Sequence, residues 1–238
     1  MTTNKFNFTF DDLLYIQQSV IDWNIIFGIK PEDSQYVSLY HSLSKEEFND
    51  KGEFYPSLLA GEIEGIADGL GDMCFTVFQW AVLDGNMMLD SHDRSWFDKI
   101  VVGNLAHDQH VSELDNHLLE GNSFGAQTSL IHLLYYYSQK GYDVMGIFNR
   151  IKESNYSKAV KKEKVVDVQA EIDYIKEQGR YGDISCEEVV APNGEEYYIF
   201  KAGQDIESDV VFDKPKVIKS RQFVSVEELG GLYEFIFV

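Results

Sequence analysis

The sequence predicts a mainly helical protein, a bundle over residues 1–160 followed by a small β-containing extension over 161–238 that packs on it. Three observations carry this. Apolar residues recur at helical spacing in successive segments up to about residue 160. Gly28 with Pro31, Gly85 and Gly141 fall where those segments should stop. After about residue 180 the pattern changes, and ISCEEVVAPNGEEYYIFKA sets β-rich flanks around Pro192-Asn193-Gly194, a hairpin signal.

The elements follow in order. DDLLYIQQSVIDWNIIFG (11–28) places Leu13, Leu14, Ile16, Val20, Trp23, Ile26 and Phe27 at helical spacing, with Asp11 or Asp12 as the expected cap. A second helix is expected over 33–50. A third should start near Ser57 and continue unbroken through GEIEGIADGLGDMCFTVFQWAVLDG to residue 84, its second half apolar all round and therefore buried on most faces. Residues 86–121 carry one or two short helices among polar loops. SFGAQTSLIHLLYYYSQKGYDV reads as a long helix, and Asp143 should cap another that runs through DVMGIFNRIKESNYSKAV to Val160. Short extended segments around Pro215 complete the extension.

The bulk properties narrow the function. Apolar residues make up 44% and aromatics 14%, enough for a substantial core. No apolar run is long enough to span a membrane, and MTTNKFNFTFDD lacks the basic and apolar regions of a signal peptide. Cys74 and Cys186 form no metal or redox motif, so reduced thiols and a cytoplasmic location (host cytoplasm for a viral protein) are expected. The 40 acidic against 20 basic residues give a charge of −20, which repels nucleic acid. An acidic excess of this kind serves either solubility or the holding of divalent cations.

Position separates those two uses. On a continuous helix Glu64, Asp68 and Asp72 stand at i, i+4 and i+8, a stripe of like charges that repel by a few tenths of a kcal/mol per pair. The preceding helix ends in Glu46, Glu47 and Asp50. An antiparallel pair would face the two acidic sets toward each other and form an all-oxygen site suited to Mg²⁺ or Mn²⁺. Charge spacing alone leaves a solvated acidic face equally open. Two features favour the site: the acids lie among Ile63, Ile66, Ala67, Leu70 and Met73, and Gly65, Gly69 and Gly71 allow a close neighbour although each costs about 1 kcal/mol against Ala. The spacing of an EF-hand is absent.

IADGLGDMCFTVFQWAVLDG, with Glu47 and Asp50 upstream, resembles the motif helices of the MazG-like and phosphoribosyl-ATP pyrophosphohydrolase-like proteins, the all-α NTP pyrophosphatases. Their pattern is E-x-x-E, a spacer, then E-x-x-D. Glu47 to Asp50 is similar to the first half, Asp72 matches the final aspartate, and Asp68 matches an aspartate common before it in phage-type members. Gly69 stands where the second-half glutamate would be, with Glu64 as the substitute. FNRIKESNYSKAV (148–160) resembles the stretch that closes the bundle in this family, and VIDWNIIFG, GRYGDIS and KPKVIKSRQF extend the likeness along the chain, leaving 86–125 as an insertion.

The resemblance implies an all-α NTP pyrophosphatase-like fold, a homodimer or homotetramer, and Mg²⁺-dependent hydrolysis of a nucleoside triphosphate to a monophosphate and pyrophosphate. Glu47, Asp50, Asp68 and Asp72 would hold the metal, and Glu46 or Glu64 would orient the water. Asn155, Ser157 and Lys158 would line the phosphate side. Residues 150–164 hold six basic groups against two acids, so Arg150 and Lys152 are expected beside Lys158 as a phosphate clamp. Trp23 and Asn24 could stack on or hydrogen-bond a base. A binding protein of the same fold that lacks catalysis, or an acidic interaction module, are the rival readings. His107, His110 and His117 are read as a surface helix rather than a zinc site.

Overall fold

The computed structural model describes residues 6–30, 33–49, 53–87, 91–102, 106–191 and 194–237. Among the described residues eight helices precede the first strand: α1 (Phe10–Phe27), α2 (Ser34–Asn49), α3 (Phe54–Ala60), α4 (Ile63–Leu83), α5 (Ser91–Val102), α6 (His107–Glu120), α7 (Ser123–Gln139) and α8 (Val144–Tyr156). The expected order of a helical bundle and then a small antiparallel sheet is observed. None of the described helices is long and apolar enough to cross a membrane.

Local chemistry sets the helix ends. Thr9, rather than Asp11 or Asp12, caps α1: its hydroxyl accepts from the Asp12 amide at 3.3 Å, and the Asp12 carboxylate accepts from the Thr9 amide at 2.8 Å. Asp143 caps α8 as expected, accepting from the Gly146 amide at 2.9 Å. Two helices fill the 86–121 region, α5 and α6.

The continuous helix expected over 57–84 is instead two. Gly61 adopts φ +73 and closes α3 by donating to the Leu58 and Ser57 carbonyls, and α4 starts afresh at Ile63. The break lets α3 fold back against α4. α4 is the central helix, and every residue from Met73 to Leu83 is buried. α2 runs antiparallel to it: Glu47 lies beside Asp72, while six residues earlier His41 stacks on Trp80 at 4.4 Å.

Two glycines of α4 admit its neighbours. A Cβ on Gly71 would meet the Ile151 and Ile147 side chains of α8. One on Gly69 would fall 2.6 Å from the backbone nitrogen of Phe54 and 2.7 Å from its Cα, at the start of α3.

α8 ends at Tyr156, short of the expected Val160, because Ala159–Lys161 leave as strand β1. A helix absent from the sequence reading, α9 (Val168–Glu177), precedes β2 (Tyr181–Val190), β3 (Glu196–Asp205) and β4 (Val210–Val217). β2 and β3 form the expected hairpin, with Val190 opposite Glu196; Pro192 and Asn193 of its turn lie outside the described residues. β1 and β4 follow one another along the far edge of β3. Alternation along β3 divides the core: Ile199 joins the bundle, whereas Phe200 and Ala202 pack with Ile175 of α9 and Ile218.

The contact at Gly69 is with backbone, and that at Gly71 is with the end of a flexible side chain. Gly69→Ala is therefore expected to destabilise the protein by about 1–3 kcal/mol through overpacking, despite the gain in helix propensity. Gly71→Ala should cost less. Chemical denaturation of both variants checks the order.

Candidate active site

Between α1, α2, α4, α8 and the chain after β4 lies a cavity of about 400 Å³. Its acidic wall is built by three elements. Glu47 comes from the last turn of α2, Asp68 and Asp72 from successive turns of α4, and Glu53 from the cap position of α3. One carboxylate oxygen each from Glu47, Glu53 and Asp72 lies within 4.8 Å of the other two. Glu53 reaches this place because Phe54, its neighbour, rests on Gly69. Gly69 thus admits the backbone that delivers Glu53 to the cavity.

The clustering leaves an electrostatic mark. Burial, together with Asp72, Glu53 and Glu46, pushes Glu47 up to about 9, with Lys158 opposing. Burial and Asp68 push Asp72 up to about 7. Burial also raises Asp68, with Glu227 adding to the effect and Lys219 opposing it. Lys158 is lowered to about 8 by burial, against the pull of Asp72 and with Lys219 and Lys216 adding to the shift. Three half-buried carboxylates that resist ionising together, offering oxygen alone, suit a hard divalent cation.

Opposite the acids, α8 presents Ile151, Ser154 and Asn155, and the turn that follows it adds Lys158. Lys158 donates to Asn155 Oδ1 at 2.6 Å. Trp23, Tyr40 and Phe75 give the cavity an aromatic end, and the Lys158 ammonium sits 5.7 Å from the Trp23 ring centre. Trp23 is itself stacked on Phe27 and donates to Tyr40 Oη at 3.3 Å.

The structure gathers Trp23, Glu46, Glu47, Asp68, Asp72, Asn155 and Lys158 into one cavity. Glu46 stands at its exposed edge. Asp50 lies outside the described residues. Glu64 is exposed in the first turn of α4 and does not line the cavity, since eight residues of helix carry it about 12 Å along the axis from Asp72. Asn24 is buried behind the wall, accepting from the Gln79 amide, and Gln79 takes its place in the lining.

The expected clamp on α8 is also redistributed. Arg150 pairs with Glu234, donates to the Leu229 and Gly231 carbonyls, and lies over the Phe235 ring. Lys152 donates to Tyr15 Oη and Ser19 Oγ, each at 3.0 Å. Ser157 accepts from the Val224 amide at 2.9 Å. These three side chains lie off the 151/154/155 face and tie the C-terminal segment and α1 to α8.

Sequence reasoning missed Glu53, Arg180, Lys216, Lys219 and Glu227, which also line the cavity. For Glu53 the advance signal was the glycine at 69, which required a close neighbour without saying which; Arg180, Lys216 and Lys219 lie in GRYGDIS and KPKVIKSRQF, stretches quoted for their likeness but given no site role.

In the metal-free protein Glu47 and Asp72 bind protons more tightly folded than unfolded, so the stability these two groups contribute is greatest at low pH and is lost as pH rises toward their folded values. Between about pH 5 and 7 both carboxylates act in this sense. Thermal stability without metal should therefore decline across that window, and the stabilisation added by Mg²⁺ should grow across it. Thermal melts at several pH values, with and without Mg²⁺, check both trends. No family model, no curated protein and no solved structure matches the chain, so the reading of this cavity rests on its own residues.

Proposed function

We propose that this cavity binds a nucleoside triphosphate and hydrolyses it between the α and β phosphates, giving a monophosphate and pyrophosphate with Mg²⁺ as the cofactor. The observation that carries the proposal is the Glu47, Glu53 and Asp72 trio, which faces Lys158 in a cavity with an aromatic end. A triphosphate is itself an anion and meets such an acidic wall only across a cation. The donor set fits Mg²⁺, and Glu47, Glu53 and Asp72 would hold it. When bound, it would supply charge neutralisation to the phosphates and a lowered pKa to water in its shell.

The chain's own residues supply the rest. Asp68 lines the cavity outside the trio, one turn from Asp72, and is the carboxylate free to orient a water and take its proton as the water attacks the α-phosphorus. The bond to the bridging oxygen breaks, and pyrophosphate leaves with the electron pair. Lys158 offsets charge developing on the phosphates. Trp23, Tyr40 and Phe75 offer faces for a base, and Gln79 offers its buried amide. The delivery of Glu53 across Gly69 favours the enzyme over a lapsed binding protein.

Two outcomes test the reading. A panel of NTPs and dNTPs with Mg²⁺ should yield pyrophosphate rather than orthophosphate from at least one substrate; no release from any would overturn the hydrolase. Asp68→Asn should lower kcat by about 10²–10⁴ while leaving Mg²⁺ affinity nearly intact, as expected of a general base. Asp72→Asn should weaken Mg²⁺ binding as well. Steady-state kinetics with calorimetric titration of the metal separates the two roles.

A further inference from the structure

Among the described residues, eight Lys and Arg side chains of this acidic chain pair with a carboxylate. Lys161 reaches Glu195 at 2.5 Å, Lys162 Glu188 at 2.8 Å, Lys201 Glu187 at 2.7 Å and Lys214 Asp33 at 2.9 Å. Lys216 and Lys219 belong to the lysines without such a pair, and with Lys158 they are the lysines of that group that line the cavity. Among the described residues neither has a carboxylate within salt-bridge distance, although the chain carries twice as many acids as bases. Both line the cavity that holds the carboxylate trio.

Their place follows from the sheet. β4 pairs with β3 up to Val217 opposite Lys201, and the Ile218 amide then donates to the Phe200 carbonyl at 3.0 Å. Ile218 is buried against α9, and this fixes the backbone on either side of it. Lys219 lies over the Phe223 ring at 4.3 Å, and Lys216 over Phe212 at 5.8 Å. Lys219 acts electrostatically on Asp68 and Asp72 across the cavity, on Glu227 beside it and on Lys158. Lys158, Lys216 and Lys219 thus converge on one space and repel one another. A polyanion shared between them would relieve that repulsion, and one held also through a cation at the trio would span the cavity from wall to wall.

We infer that Lys216 and Lys219 form a polyphosphate-binding wall opposite the carboxylate trio, which makes the C-terminal sheet part of the site. In orienting a substrate the assignment rests on the nucleotide reading: the base lies at the aromatic end beside Lys158, and the β and γ phosphates, the leaving pyrophosphate, lie against the sheet. Arg180 and Lys216 also line an adjoining cavity between α2 and β4, so the pyrophosphate end faces that opening.

The test is calorimetric binding of inorganic pyrophosphate in the presence of Mg²⁺, which can be read whether or not the protein turns over a nucleotide. Wild type should bind. Lys216→Met/Lys219→Met should bind at least tenfold more weakly, and each single variant should lose part of that affinity should the double fail to fold. Lys161→Met and Lys162→Met, whose charges are matched by Glu195 and Glu188, should bind as wild type does. Mn²⁺ binding without pyrophosphate should be retained in all five variants. Absence of pyrophosphate binding in wild type, or equal affinity in the Lys216/Lys219 and Lys161/Lys162 variants, would overturn the assignment. The expected binding pattern without release of pyrophosphate from any nucleotide would refute the hydrolase reading and leave the wall standing.

Discussion

The start of α3 lies on α4 at Gly69, with the Phe54 nitrogen 2.6 Å from where a methyl group would be. That approach sets the acidic wall. It needs a glycine at 69 to admit the backbone and a left-handed glycine at 61 to turn the chain back into α4. With both present, Glu53 arrives beside Glu47 and Asp72, which α2 and α4 already bring together. A Gly in a helix interior costs about 1 kcal/mol against Ala, and here it gains a third carboxylate. The trio resists full ionisation, as the upward shifts at Glu47 and Asp72 record, and a bound divalent cation would reverse that penalty.

The halves of the chain contribute opposite charges to one cavity. Helices α2 to α4 supply the trio and Asp68, whereas the turn after α8, the end of β4 and the residues just beyond it supply Lys158, Lys216 and Lys219. Cations that read as phosphate ligands in the sequence serve instead to fasten these halves. Arg150 secures the C-terminal segment to α8, and Lys152 joins α8 to α1. A site that depends on carboxylates and ammonium groups from segments far apart in sequence needs such fastening, because small displacements strongly weaken a charged constellation.

Much of this was legible in the sequence where the cause is local. The 3.6 period marked α1, α2, α7 and the core half of α4, the hairpin chemistry marked β2 and β3, and the capping role of Asp143 was plain. Asp72 was singled out by spacing and resemblance together and Lys158 by the resemblance, and both line the cavity. The failures share a different cause. Glu53 precedes a helix of only seven residues, and its place beside Glu47 and Asp72 is set by where Phe54 packs, which no window of sequence contains. Glu64 was chosen from a stripe that continues on paper but leaves the site after one turn. Arg150 and Lys152 have the right charge on the wrong face of α8, a distinction that the run of basic residues hides. α9 was missed because the extension read as β-rich throughout, although its amphipathic pattern packs Ile175 against Phe200.

The central claim is that Glu53, placed by the contact at Gly69, completes a divalent-cation site with Glu47 and Asp72. It is tested most directly by titrating Mn²⁺ into wild type and Glu53→Gln and following the free ion by electron paramagnetic resonance, with circular dichroism to establish that the variant is folded. Saturable Mn²⁺ binding in wild type, weakened by roughly tenfold or more in the folded variant, is the expected result. Mn²⁺ binding of undiminished affinity in Glu53→Gln, or no saturable binding in wild type, would contradict it.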